Sequence, residues 1–361
     1  MKNTLAHRIV VLRPGLTLIE LILVILAISL LLSLVIPSVG SRGPSRRMEC
    51  QFHLKELALA TMNYATNFKG QLPDLRTSPL GLCDASIEPS IPSSVSFHLA
   101  LFPYMDQAGA IEFIETQPTA LEANRALSTV LDNMYKALTC PDDSNHFRKP
   151  GGNSYVANAG YGEFTVTKGE VTMGGWTGLH SAENWGNWDL AHRPYADPGV
   201  APSISPLDKK IARATGVFWI PDVDGWKRKI DDIVNGDGSG QTLLFGENLN
   251  ASSLDISTAP TAMDNAFVVG RTAIEFEYTA PKYLAFTSVP KPFGFAINQN
   301  RGTLVGQSPI PSSLHRGGVN FAFCDGHVSF LADEIDPSVY VRLMSPDGER
   351  WGQARVSESE Y

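Results

Sequence analysis

Only four cysteines occur in the 361 residues, Cys50, Cys83, Cys140 and Cys324, and no two of them form a CxxC pair. That absence argues against a zinc ribbon and a thioredoxin-like redox motif, and leaves room for at most two disulfides if the body of the chain is exported. Catalytic signatures are missing too. There is no G-x-S-x-G, no H-E-x-x-H and no Cys-His dyad pattern, so nothing specific points to a hydrolase and no enzyme is expected. Positive charge is scarce: 29 Lys and Arg stand against 37 Asp and Glu, for a formal net charge of -8. No basic cluster lies outside the N-terminal segment, and phosphate binding needs one, so no nucleic-acid partner is expected. Internal repeats are absent as well.

What the chain does have is one long apolar run. Residues 16–39 read LTLIELILVILAISLLLSLVIPSV, with Glu20 as the only ionisable side chain. About 20 apolar residues cross a hydrocarbon core in helical form, so the run is long enough to span. A secretory signal is the plain alternative, given Lys2, Arg8 and Arg13 ahead of it. Against that stand the length of the run, the lack of an A-x-A-like site after it, and a carboxylate near its start. An uncompensated charge in a bilayer costs roughly 2.5 to 3.5 kcal/mol, so Glu20 calls for a partner. If the chain is cut after Gly15, the new α-amino group of Leu16 lies one helical turn away.

Residues 13–20, Arg-Pro-Gly-Leu-Thr-Leu-Ile-Glu, resemble the prepilin cleavage and methylation motif of type IV pilins and type II secretion pseudopilins. The resemblance implies a leader over 1–15 removed by a prepilin peptidase, a methylated N-terminus at Leu16, and Glu20 retained for assembly with like subunits. Leu16 stands where that family usually has phenylalanine. Arginines flank the run on both sides, so charge alone leaves orientation a near tie. The resemblance places the leader in the cytoplasm, the span over 16–39 in the inner membrane, and the body in the periplasm.

After the breakers at residues 40–44, Cys50, Leu54, Leu57, Thr61, Tyr64 and Phe68 recur at steps of four and three, which predicts an amphipathic helix over 40–70 ending near Gly70. Beyond it, over 71–361, Pro, Ser and Gly alternate with short strand-like runs. The expected fold is therefore α+β: a long N-terminal helix, membrane-embedded and then amphipathic, followed by a mainly antiparallel β head, pilin-like.

Several runs carry a second resemblance. Residues 47–57 (RMECQFHLKEL), 101–107 (LFPYMDQ), 140–143 (CPDD), 154–160 (SYVANAG), 230–233 (IDDI), 238–247 (GSGQTLLFGE), and finally His315, nine residues and then Asp325-Gly326 resemble the landmarks of the prepilin-like family Domain of Unknown Function 1559. Phe52-His53 stands where that family usually has two asparagines. The resemblance implies architecture and location, with no activity and no cofactor. Cys50 and Cys140 both fall on its landmarks, one on the buried face of the helix and one before a Pro-Asp turn, and are expected to pair.

Asp325-Gly326 between two apolar runs predicts a hairpin with a two-residue turn of type I′. Pairing Cys324 with His327 puts Phe323 opposite Val328, Phe321 opposite Phe330, and Gly318 by Asp333. About six extended residues keep His315 and Asp325 roughly 20 Å apart, so they share no metal. His315 is expected to meet a carboxylate at the open end of the hairpin, as a structural bond. Residues 235–240, Asn-Gly-Asp-Gly-Ser-Gly, lack the Lys-Ser/Thr of a P-loop and the acid spacing of an EF-hand, and read as a turn before a strand over 241–245. Trp176, Trp185 and Trp188 with His180 and His192 suggest a loop core or, on the rival reading, a glycan- or protein-binding surface carried on a membrane tether.

Overall fold

A computed structural model of the chain describes residues 15, 17–40, 42–77, 95–162, 165–167, 170–172, 206–220, 225–256, 265–270 and 296–361, with scattered positions between 274 and 289. Leu16, Cys83 and the Trp-rich stretch of residues 176–192 lie outside them. The chain divides into two units, residues 1–45 and 46–361.

Helix α1, Leu18–Gly40, opens on a capping box. Thr17 donates its N–H (2.8 Å) and its Oγ1 hydroxyl (2.9 Å) to Glu20 Oε2, and the Glu20 N–H points back at Thr17 Oγ1 (3.4 Å). This satisfies amide donors that a helix start leaves open. Side chains of α1 are described only over 18–33, about 24 Å at about 1.5 Å per residue, against roughly 30 Å of hydrocarbon core. Among the described residues no helix is long and apolar enough to cross a membrane.

Helix α2, Arg42–Asn67, buries Cys50, Leu54, Leu57 and Thr61 completely, as its stripe requires. The stripe then drifts: Ala58 and Ala65 take over the inner face, while Phe68 is 46% exposed and stacks on Tyr64 at 4.3 Å. Gly70, at φ +82°, closes the helix by donating its N–H to Ala65 O (2.7 Å).

The order then runs β1 (Arg76–Thr77), β2 (Val95–Ser96), α3 (His98–Leu101), α4 (Ala108–Glu115), α5 (Ala120–Leu131), β3 (Tyr155–Gly162), β4 (Thr165–Thr167), β5 (Glu170–Thr172), α6 (Pro206–Arg213), α7 (Ile230–Val234), β6 (Leu243–Glu247), β7 (Ala266–Gly270), β8 (Gly318–Phe323), β9 (Val328–Ala332) and α8 (Pro337–Met344). The fold is mixed α+β. Its main sheet has the order β7-β3-β6-β8-β9, antiparallel except for the β3–β7 pair. One face meets α2, where Gln51 Nε2 donates to Asn320 Oδ1 (2.9 Å) and the Arg47 guanidinium lies 4.5 Å over the Phe330 ring. The other face meets α8 through Phe321 and Tyr340, 6.2 Å between ring centres.

The hairpin forms, but one residue out of the expected register. Phe321 faces Ser329, and Asn320 faces Phe330. Phe323 donates its N–H to His327 O, and Gly326 donates to Phe323 O, both at 2.9 Å. The connection is thus three residues, Cys324-Asp325-Gly326, with Gly326 left-handed at φ +88°, the turn-plus-bulge arrangement rather than type I′. A one-residue slip moves side chains between faces: Phe321 goes to the α8 side and Phe330 to the α2 side. Gly317, not Gly318, therefore accepts the Asp333 N–H (3.0 Å). The strand expected over 241–245 begins two residues later, because residues 239–241 close a short 3-10 turn instead.

Candidate functional site

Where α2 crosses the sheet, chain segments far apart in sequence bring polar side chains to one buried point. Cys50 comes from the first buried turn of α2, and Cys140 from the loop after α5. The structure joins them in a disulfide with 5.1 Å between Cα atoms. The Cys-Pro-Asp-Asp run folds back as a turn in which Asp143 donates its N–H to Cys140 O (2.9 Å). Ser154 at the approach to β3 locks it: its Oγ accepts the Cys140 N–H (3.0 Å) and donates to Asp143 Oδ2 (2.7 Å). Burial pushes the Asp143 carboxyl up to about 6.

Glu247 ends β6 and is 2% exposed. Register places it between Tyr155 on β3 and Asn320 on β8, all turned toward α2. A carboxylate buried this deeply is costly unless its oxygens are paired. Its Oε2 accepts the Asn320 N–H (2.9 Å), and its Oε1 accepts the Asn320 side-chain amide (3.0 Å) and faces His315 Nε2 (3.1 Å).

His315, itself 4% exposed, sits between two carboxylates. Nε2 faces Glu247 and lies 3.5 Å from Cys140 Sγ, while Nδ1 is 3.3 Å from Asp142 Oδ2. Asp142 is shared with Arg46 of α2 (2.8 Å). Burial alone lowers the affinity of the ring for a proton, but the hydrogen bond and charge of Glu247 and the charge of Asp142 outweigh it, and His315 stands above its ordinary value. The expected carboxylate partner is therefore found in a different place. Asp333 at the open end of the hairpin bonds Asn298 instead.

Asp325 acts elsewhere, at the hairpin turn. Its Oδ1 accepts the His327 N–H (2.9 Å) and faces His327 Nδ1 (2.6 Å), which braces the turn. His315 and Asp325 thus mark opposite ends of β8 and share no partner among the described residues. The loop at 235–240 is a turn, with one feature the sequence did not announce. Both oxygens of Asp237 accept backbone N–H groups of the C-terminal segment, from Gly348 and Glu349, each at 2.8 Å. Among the described residues Glu20 bonds within its own helix turn, to Thr17, and Gly15 is exposed.

Cys50, Cys140, Asp142, Tyr155, Glu247 and His315 all come from stretches that resemble family landmarks, gathered at one place in the fold. The family described as "Protein of unknown function (DUF1559)" has a model that matches residues 41–338. The chain belongs to this family. No curated protein and no solved structure matches it. In this DUF1559 chain several of the family-like landmarks therefore meet in one buried network: the donor atoms of Cys50, Cys140, Glu247 and His315 all lie within 4.8 Å of one another, and all four residues are buried. Glu247 and Asp142 escaped the sequence reading as site residues. Glu247 is the last residue of a landmark run, and a Glu closing an apolar strand was the available signal.

Proposed function

We propose that this DUF1559 chain is a pseudopilin-like structural subunit of the cell envelope, cut after Gly15 by a prepilin peptidase and anchored in the inner membrane by α1, with its head in the periplasm. The observation that carries this reading is the surface of α1. From Leu18 (76% exposed) to Leu32 (52% exposed), its large apolar side chains are open on every side of the helix. A helix apolar all round needs lipid or other helices as its surroundings. The motif of residues 13–20 supports the processing step, and the Cys50–Cys140 bond suits an oxidising compartment. Glu20, the one charge in the run, then serves subunit register, a use attested for lone polar groups in packed helices. N-terminal sequencing of the protein from its host tests the reading: Leu16 is the expected first residue. A mature chain beginning beyond residue 39 would mean an ordinary signal peptide and would overturn it.

A further inference from the structure

We propose that reduction of the Cys50–Cys140 disulfide converts the buried cluster into a closed four-ligand zinc site, held by the two thiolates, His315 Nε2 and Glu247 Oε1. Four donors within 4.8 Å of one another are already close to what the ion needs. With bonds of about 2.0–2.3 Å, tetrahedral zinc spaces its ligand atoms roughly 3.3–3.8 Å apart. Replacing one S–S bond by two S–Zn bonds asks for side-chain rotation about Cα atoms 5.1 Å apart, with no demand on the sheet.

The surroundings point the same way, independently of the four donors. A metal-binding imidazole usually has its second nitrogen fixed by a carboxylate, which sets the ring orientation. His315 has this arrangement: Nδ1 is 3.3 Å from Asp142, and Nε2 is turned toward Glu247 and Cys140. Glu247 is braced likewise, its Oε2 held by the Asn320 N–H at 2.9 Å. The carboxylate and imidazole are thus preset in the oxidised protein, and reduction supplies the two remaining ligands. All four positions are filled by protein, so the site is structural.

The step balances with a dithiol as reductant. Its two sulfhydryls give two electrons and two protons to the Cys50–Cys140 bond and become a disulfide, leaving two protein thiols. Zinc then displaces one proton from each thiol as the two S–Zn bonds form, and the proton held between His315 Nε2 and Glu247 Oε1 leaves to solvent as those two atoms bind the ion.

The test uses the full-length chain in detergent, metal-free, with the disulfide intact or reduced by a phosphine. Co2+ serves as the probe and Zn2+ as its competitor. Reduced protein should take up one equivalent of Co2+ with visible tetrahedral bands and ultraviolet thiolate charge-transfer bands, and one equivalent of Zn2+ should abolish them. Oxidised protein should give neither. His315→Asn and Glu247→Gln should weaken Co2+ binding at least about tenfold, and Asp142→Asn about 10- to 100-fold with the bands retained, as expected for a positioning residue. Cys83→Ser with Cys324→Ser should change nothing. Should the reduced chain lose its near-ultraviolet circular dichroism without metal, one equivalent of Zn2+ should restore it. Absent bands, bands that survive Cys50→Ser with Cys140→Ser, or a reduced unfolded chain that zinc leaves unfolded would each overturn the proposal.

Discussion

Two glycines on family-like landmarks hold their places for different reasons. Gly326 has open space where a Cβ would go, so its only need is φ +88°. Gly326→Ala should therefore cost about 1–2 kcal/mol, the left-handed penalty, and lower the melting temperature by a few degrees. An unchanged melt would mean that the turn relaxes to another form. Gly160 combines φ +78° with a neighbour: a Cβ there would lie 2.6 Å from the Thr215 carbonyl carbon and oxygen. Backbone cannot give way as a side-chain tip can, so Gly160→Ala should destabilise by clearly more than Gly326→Ala in the same denaturation assay. Asp237 is a residue-scale test of pH. Burial raises its carboxyl from 3.8 to about 6, against the lowering effect of its two amide bonds. The folded state thus binds its proton more tightly than the unfolded chain does. That contribution is fully present below about 3.8 and is lost as pH rises through about 6. The stability of the wild type relative to Asp237→Asn should fall between pH 4 and pH 7 by on the order of 2 kcal/mol, read from urea unfolding at each pH. A gap that stays constant would show that Asp237 does not titrate in this window.

At the scale of elements, α1 and the β8–β9 hairpin show what local pattern can and cannot convey. Thr17-x-x-Glu20 is a capping box, so Glu20 has a helix-start role beside any role between subunits. Two variants separate them. Thr17→Ala should weaken the cap by about 1 kcal/mol yet leave assembly intact. Glu20→Leu should still be processed and inserted, but should lose crosslinks between cysteines placed along neighbouring α1 helices. Equal loss in both variants would reduce Glu20 to a cap. The hairpin was legible as two strands and a Gly turn, because alternation and Asp-Gly are local signals. Its register was not, because two- and three-residue connections both accept Asp-Gly. What selects the longer one is packing: Phe323 stacks on His327 at 4.1 Å and on Tyr361 at 5.5 Å, and Tyr361 lies far along the chain at its C-terminal end.

For the whole molecule, the Cys50–Cys140 bond ties α2 to the loop after α5 across a sequence separation of 90 residues. A loop of that length makes the bond worth about 2–5 kcal/mol, so Cys50→Ser with Cys140→Ser should lower stability by that amount when assayed with a chelator present. Loss of the bond with no change in urea midpoint would show that the Glu247–His315–Asp142 network alone holds α2 in place. Removal of residues 1–15 would take away Lys2, Arg8 and Arg13 and no acid, which moves the formal charge from -8 to -11 before the new α-amine is counted.

The sequence by itself determined the elements with a short-range signature: the apolar run with Glu20, the stripe of α2 from Cys50 to Thr61, the Asp-Gly turn, and the α+β class. These depend on periodicity and turn chemistry, which act within a few residues. It also pointed to Cys50 and Cys140 as a pair, and the structure joins them. Only the tertiary structure decided which partners the polar landmarks meet. Glu247 reaches His315 across 68 residues, and His315 reaches Asp142 across a separation still larger. Such distances are closed by strand order and by α2 crossing the sheet. No spacing rule in the chain records them, because a buried charge is satisfied by whatever the fold brings within about 3 Å.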